Sequence, residues 1–234
     1  MEAPLVVGYK GEIGRFILAG LLEDMPKAND IFCVDINNSE DEVRERIRKS
    51  DYIFLCVPLQ HTVAWIDGFL PDLSGKILVE QCSVKSFLYE NESYKTLNLL
   101  SMHLLFRPSA TPIKDRRCLV FSERGSSADL AAFSDLMARA LKTSVVSIDS
   151  GAESAHLQHD RLMAYQQSLV HRVILVLASK IQDEHGQTFV GQRIQELAER
   201  IEAGDPELYR LIQGNPFTDS VVADFESSLR GFKI

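Results

Sequence analysis

Cysteine, tryptophan and basic residues are what this 234-residue chain has little of. Its four cysteines, Cys33, Cys56, Cys82 and Cys118, form no C-x-x-C pair and are mostly flanked by apolar residues. That pattern argues against a disulfide framework and for buried free thiols in a reducing compartment. With the six histidines they make no spacing typical of a metal site. Positive charge is scarce: 25 Lys+Arg face 33 Asp+Glu, a formal net charge of −8. Such a balance lacks the basic footprint of a nucleic-acid-binding surface and opposes docking on an anionic membrane. It still permits an anionic small molecule held by a few local cations. Long apolar runs are missing too. The most apolar stretch, Val170 to Leu177, is interrupted by His171 and Arg172 and is far too short to span a bilayer. Met1-Glu2-Ala3-Pro4 leads into an apolar run with no basic segment before it, so no signal peptide and a cytoplasmic location are expected.

What is present is an ordinary globular composition, 45% hydrophobic and 25% charged, in a length that suits one or two domains. Short apolar runs alternate with helical patterns. Leu5 to Gly8, Ile31 to Asp35, Tyr52 to Val57 and Ile77 to Glu80 read as buried strands. Ile13 to Leu22 has apolar residues at helical spacing, and Ser39 is placed to cap a charged helix over Glu40 to Lys49. Further strands are expected near Leu97–Leu105, Cys118–Ser122 and Ser144–Ile148, with a helix over Ser127 to Leu141 between the last two. Beyond this point strand signals stop. Ala152 to Lys180 predicts one long helix, followed by helices over Val190–Ala203, Pro206–Ile212 and Asp219–Leu229. The expected fold class is therefore α/β: a mostly parallel, Rossmann-type sheet over residues 1–150, then an all-helical domain over 151–234. The boundary is placed near Ser150-Gly151.

The first strand runs into Gly8-Tyr9-Lys10-Gly11-Glu12-Ile13-Gly14, and a helix follows. Glycines there let the backbone turn tightly and approach a pyrophosphate, while the helix N-terminus supplies free N–H groups. Tyr9 occupies a position where a dinucleotide fingerprint would carry glycine. Asp35 ends the second strand, 21 residues after Gly14. A carboxylate at that place accepts the ribose hydroxyls of an adenosine and repels a 2′-phosphate, which favours NAD over NADP.

Four further segments converge on one family. They are Cys56-Val57-Pro58, Glu80-Gln81-Cys82-Ser83-Val84-Lys85, Ser101-Met102-His103-Leu104-Leu105-Phe106, and the run from His159-Asp160-Arg161 to Leu169-Val170-His171. With Arg200-Ile201-Glu202-Ala203-Gly204-Asp205-Pro206 they make an ordered set that resembles the prephenate/arogenate (cyclohexadienyl) dehydrogenases of tyrosine biosynthesis over roughly residues 5 to 213. The resemblance implies NAD-dependent oxidative decarboxylation of prephenate, or of a relative such as arogenate, to 4-hydroxyphenylpyruvate or tyrosine. Hydride leaves C4 of the ring for the nicotinamide, the C4 hydroxyl loses its proton, and the ring carboxylate leaves as CO2. By the same resemblance His103 bonds the C4 hydroxyl and assists its deprotonation, and Ser83 orients it. Arg200 holds a substrate carboxylate, and His171 and Gln167 face the cleft. Gly8, Lys10, Gly11, Glu12, Ile13, Gly14 and Asp35 take the cofactor, with Val57 and Pro58 beside its nicotinamide half. The family's homodimer, formed through the helical domain, is implied as well.

The residues support part of this without the resemblance. Ligands of a doubly wound sheet bind outside the carboxyl ends of its strands, where Gly8, Asp35, Val57, Ser83 and His103 fall. At α-helical pitch His159, Gln167 and His171 spread over about 120° of one helix. His159-Asp160 reads as a structural pair, whereas His61, His156 and His185 carry no signal. Leu169, Val170, Val173, Ile174, Val176 and Leu177 cover much of a helix circumference, which predicts burial on several sides. Besides Tyr9, two residues depart from the family pattern: Leu104 stands in place of a proline and Arg107 in place of a glycine. Arg107 brings a charge and five donors, which suit a substrate carboxylate or fill the pocket. Lys10 and Lys85 are further cations, each by itself read as solvated surface. Two alternatives stay open: another NAD(P) oxidoreductase on the same scaffold, and a non-catalytic NAD-binding homologue with a blocked pocket.

Overall fold

The computed structural model describes residues 3–25, 31–123, 127–148, 153–181 and 188–232. The expected domain boundary at Ser150-Gly151 lies outside them. The chain divides into two compact units: Met1–Cys82 with Phe87–Ala155, and Ser83–Ser86 with His156–Ile234.

The first unit alternates strand and helix: β1 (Pro4–Val7), α1 (Glu12–Asp24), β2 (Phe32–Val34), α2 (Glu40–Arg48), β3 (Tyr52–Leu55), α3 (Leu59–Phe69), β4 (Ile77–Glu80), α4 (Ser86–Tyr89), β5 (Asn98–Leu104), β6 (Arg117–Phe121), α5 (Ser127–Ala140) and β7 (Ser144–Ser147). The seven strands form one sheet in the order β2-β1-β3-β4-β5-β6-β7. All neighbours are parallel except β5 and β6. This is the Rossmann-type, mostly parallel arrangement expected from the alternating pattern. The chain leaves β1 for β2 on one side and continues with β3 on the other, so a topological switch point opens at the end of β1.

Register carries the core. Val6, Phe54, Val79 and Leu100 stand in one row across four strands. They share a buried cluster with Ile17 and Leu21 of α1 and Phe133 and Met137 of α5. A Cβ on Gly20 of α1 would lie 2.5 Å from the Ala140 carbonyl oxygen, so the glycine is what lets α1 approach α5. α2 starts with a reciprocal cap: Ser39 accepts the Glu42 N–H, and Glu42 accepts the Ser39 N–H.

The second unit is helical: α6 (Ala155–Met163), a π-helical turn at Ala164–Leu169, α7 (Val170–Lys180), α8 (Phe189–Glu202), α9 (Pro206–Gln213) and α10 (Thr218–Gly231). The helix expected over Ala152 to Lys180 is thus interrupted by a wider turn. Tertiary bonding supplies the reason: Gln213 Nε2 donates to the Ser168 carbonyl at 3.2 Å and Ser168 Oγ donates to the Ile212 carbonyl at 2.7 Å. A side chain that captures a ladder carbonyl leaves the helix to close a longer ring. The extra width also invalidates the uniform-pitch spread given above for His159, Gln167 and His171.

Asp160 and His159, both wholly inaccessible, anchor this unit. Asp160 accepts the N–H groups of Lys85 and Ser86 at 2.8 and 2.9 Å, the Ser86 hydroxyl at 2.6 Å and His159 Nδ1 at 2.9 Å. Burial pushes its carboxyl up, but these donors outweigh it and hold the group below the usual carboxylate range. The Asp160 carbonyl accepts Asn215 Nδ2 at 2.7 Å. By contrast α7 has no buried residue. Val170, Val176 and Leu177 are 42%, 59% and 45% exposed. The burial on several sides that the pattern predicts is not reached within one chain.

Candidate functional site

The end of β1 forms the floor of a groove of about 830 Å³ lined by three strand–helix loops of the first unit. Gly8 sits at φ +77°. A Cβ there would lie 2.6 Å from Val57 Cγ1 and 2.8 Å from the Cys56 carbonyl oxygen. Left-handed backbone and tight sterics both demand glycine. Gly11 is the N-cap of α1 and offers no side-chain cap, so the first-turn N–H groups of Glu12, Ile13 and Gly14 have no capping side chain. Gly14 lets α1 rest on the loop: a Cβ on it would fall 2.2 Å from the Gly8 carbonyl oxygen. These are the features a pyrophosphate requires, namely close backbone approach and a bare helix N-terminus. Tyr9 therefore does not spoil the loop. Gly8 supplies the turn instead.

Asp35, just past β2, is held from three directions. Its Oδ2 accepts the Lys10 N–H at 3.1 Å, its Oδ1 accepts the Ile36 N–H at 2.9 Å, and its own N–H donates to Asn38 Oδ1 at 2.9 Å. Asp35 and Lys10 both line the groove. The carboxylate is thus tied to the glycine loop and set for two hydroxyls. Arg44, the first arginine of the following helix, is engaged by Glu40 and Asp72. Among the described residues it is not offered to a 2′-phosphate.

The third wall comes from α3. Pro58 precedes it, and His61, Ala64, Trp65, Gly68 and Phe69 recur on one face and line the groove. Such an apolar face suits a planar base. Sequence reading gave His61 no role. The structure places it on the groove wall, and the helical spacing from His61 through Trp65 to Phe69 was the available signal. Cys56 also lines the groove. Burial pushes its thiol up to about 12, so it is a neutral, unreactive wall.

Glu12 and Arg107 meet across the first unit. Glu12 accepts the Ser109 hydroxyl at 2.5 Å and the Ser109 N–H at 3.1 Å, and pairs with Arg107 Nε at 3.3 Å. The Ser109 bonds first, and then Arg107, hold the Glu12 carboxyl below the usual carboxylate range. The β5–β6 loop is also held by Arg116, which packs over both the Phe16 and Phe106 rings and donates to the Thr111 and Pro108 carbonyls. Arg107 itself is 74% exposed and does not line the groove.

His103 lies near the carboxyl end of β5 and is 7% exposed. Ser83 follows β4 and belongs with the second unit. There His171 is half-buried, its Nδ1 has no hydrogen-bond partner, and its ring stacks on Tyr209 with centroids 6.1 Å apart. Burial lowers its pKa, which favours the neutral ring. Gln167 sits in the π-helical turn, and Arg200 is exposed on α8. Lys85, expected at the surface, is wholly buried. No group of three or more metal-ligating side chains occurs among the described residues.

No protein-family model and no curated protein matches the chain. Solved structures do. Prephenate dehydrogenase from A. aeolicus, in complex with hydroxyphenyl propionate and NAD+, is similar with a TM-score of 0.72 and 16% identity over 99% of this chain and 89% of that one. Arogenate dehydrogenase from Synechocystis gives a TM-score of 0.66 and 19% identity over 99% and 90%. A Plasmodium falciparum pyrroline carboxylate reductase with NADP bound gives 0.55 and 16% over 98% and 92%. At these identities the likeness establishes the fold alone, a Rossmann-type sheet domain with a helical unit.

Proposed function

We propose that this chain is an NAD-dependent oxidoreductase that oxidatively decarboxylates prephenate or arogenate. The observation that carries the reading is the groove at the switch point, where a bare helix N-terminus, a left-handed glycine and an anchored Asp35 stand together. That combination suits the pyrophosphate and the adenosine ribose of NAD. When bound, the nicotinamide supplies the hydride acceptor. Gly8, Gly11 and Gly14 give the backbone its close approach, with the N–H groups of Glu12 and Ile13 beside the phosphates. Lys10 adds a cation, Asp35 takes the ribose hydroxyls, and Val57 and Pro58 flank the way to the nicotinamide half.

The narrower substrate assignment rests on His103 and on similarity to the two cyclohexadienyl dehydrogenases. An imidazole, which carries an acceptor and a donor nitrogen, takes the C4 hydroxyl proton as the carbonyl character develops, and can return it to the phenolate once CO2 has left. The resemblance assigns Ser83 to orienting that exchange. Arg200 offers a planar fork to a carboxylate, and His171 and Gln167 present neutral polar groups. Arg107 gives its Nε to Glu12, and its terminal N–H groups remain for a second carboxylate. The uncovered apolar residues of α7 support a homodimer through the helical unit.

His103→Asn tests the assignment. Turnover of prephenate with NAD should fall by roughly 10²–10⁴-fold, the usual worth of a general base, while NAD affinity stays within twofold. Equal turnover in the variant would remove His103 from the chemistry.

A further inference from the structure

Gln81 stands one residue beyond β4, and its carboxamide is only half satisfied. Nε2 donates to Cys56 Sγ at 3.1 Å, whereas Oε1 is buried without a hydrogen-bond partner. An unmet buried carbonyl is costly enough that folded proteins rarely keep one without a use. Its position suggests the use. Val7, Leu55 and Glu80 pair in register across β1, β3 and β4, so Gly8, Cys56 and Gln81 form the next row at the carboxyl edge. Gly8 and Cys56 both line the dinucleotide groove. Asp35 marks the adenosine end at β2, and β4 lies three strand spacings away, about 14 Å at about 4.8 Å each. A dinucleotide laid from Asp35 over the glycine loop brings its far ring to the end of β4.

We infer that Gln81 is the residue that reads the nicotinamide carboxamide, its Oε1 accepting the amide N–H while its Nε2 stays on Cys56 Sγ. This deepens the proposed function and rests on its dinucleotide reading. Cys56 suits the anchoring role because its thiol stays neutral and offers a soft acceptor that fixes the Gln81 side chain. If the carboxamide is turned end for end, Nε2 becomes the unmet atom, and it would donate to the amide oxygen of the same ligand group. Only the orientation with Oε1 toward the ligand distinguishes an amide from an acetyl group.

Binding of NAD, ADP-ribose and 3-acetylpyridine adenine dinucleotide to wild type, Gln81→Leu and Gln81→Met tests the inference. ADP-ribose lacks the nicotinamide, and the acetyl analogue lacks the amide N–H. Wild type should prefer NAD over the acetyl analogue by about tenfold, the usual worth of one buried hydrogen bond. Both variants should lose about tenfold in NAD affinity, lose that preference, and bind ADP-ribose as wild type does. Unchanged NAD affinity in the variants would overturn the Gln81 role and leave the dinucleotide site intact. Equal losses for NAD and ADP-ribose would reduce Gln81 to a structural part and overturn the inference. A wild-type protein that binds neither would overturn the dinucleotide reading and the inference with it.

Discussion

Gly14→Ala sets two physical effects against each other. Gly14 has helical backbone inside α1, where alanine is intrinsically better by about 1 kcal/mol. Propensity alone would make the variant more stable. The structure says otherwise, because the new Cβ would stand 2.2 Å from the Gly8 carbonyl oxygen and 2.7 Å from Tyr9 Cα. Both are backbone atoms and cannot rotate away. Relief to an ordinary contact requires α1 to withdraw from the loop by more than about 1 Å. Overpacking of this kind costs up to about 3 kcal/mol, so a net loss of about 2 kcal/mol remains after the propensity gain. For a chain of this size that is a fall in Tm of about 4–8 °C. The same withdrawal moves the bare helix N-terminus from the pyrophosphate and should weaken NAD binding by at least about tenfold, the worth of one lost hydrogen bond to a charged group. Thermal melting and titration with NAD read the two effects separately. A variant that melts at or above the wild-type temperature and binds NAD normally would refute the close-packing argument.

Other outcomes follow from the same geometry. Asp35→Asn should bring the affinities for NAD and NADP closer by about tenfold, because a repulsive carboxylate is gone and the Lys10 N–H keeps an acceptor; competitive titration of both cofactors measures it. Asp160→Ala leaves His159 and two N–H groups without their buried acceptor and should cost about 3–5 kcal/mol, read as a fall in denaturation midpoint. His171, whose pKa burial lowers, folds best as the neutral ring. Its stabilising preference is complete above the unfolded pKa of about 6.5 and is lost as pH falls through the lower folded value. Asp160, also lowered, contributes above about pH 3.9 and fails only at lower pH. Melting of wild type and His171→Phe between neutral and mildly acidic pH should therefore diverge before the Asp160 network is lost. Val176→Asp, on an exposed apolar position of α7, should shift sedimentation from dimer to monomer while leaving NAD binding in place.

The strands and the glycine loop were legible because their causes are local. Three apolar residues ending at a glycine, followed by helical periodicity, describe β1, the loop and α1 without reference to the rest of the chain. Asp35 was legible by its distance from that loop. The π-helical turn was not, since it depends on Gln213 reaching the Ser168 carbonyl from 45 residues away. Lys85 read as a surface cation because nothing in its own segment announces that it is wholly buried. His61 and Trp65 were hidden for a related reason: an amphipathic face looks the same whether it meets a core or a ligand. Arg107 raised two possibilities in sequence, a carboxylate ligand or a plug. The structure shows it on the outside, paired with a glutamate that begins α1.

The most direct measurement mixes the protein with prephenate and NAD and follows absorbance of the reduced cofactor, with arogenate and NADP in parallel. NAD should be reduced by one of the two acids, with release of CO2 in equal amount, and NADP far less. NAD binding without reduction by either acid would contradict the proposed function and leave the fold with a different reaction or none.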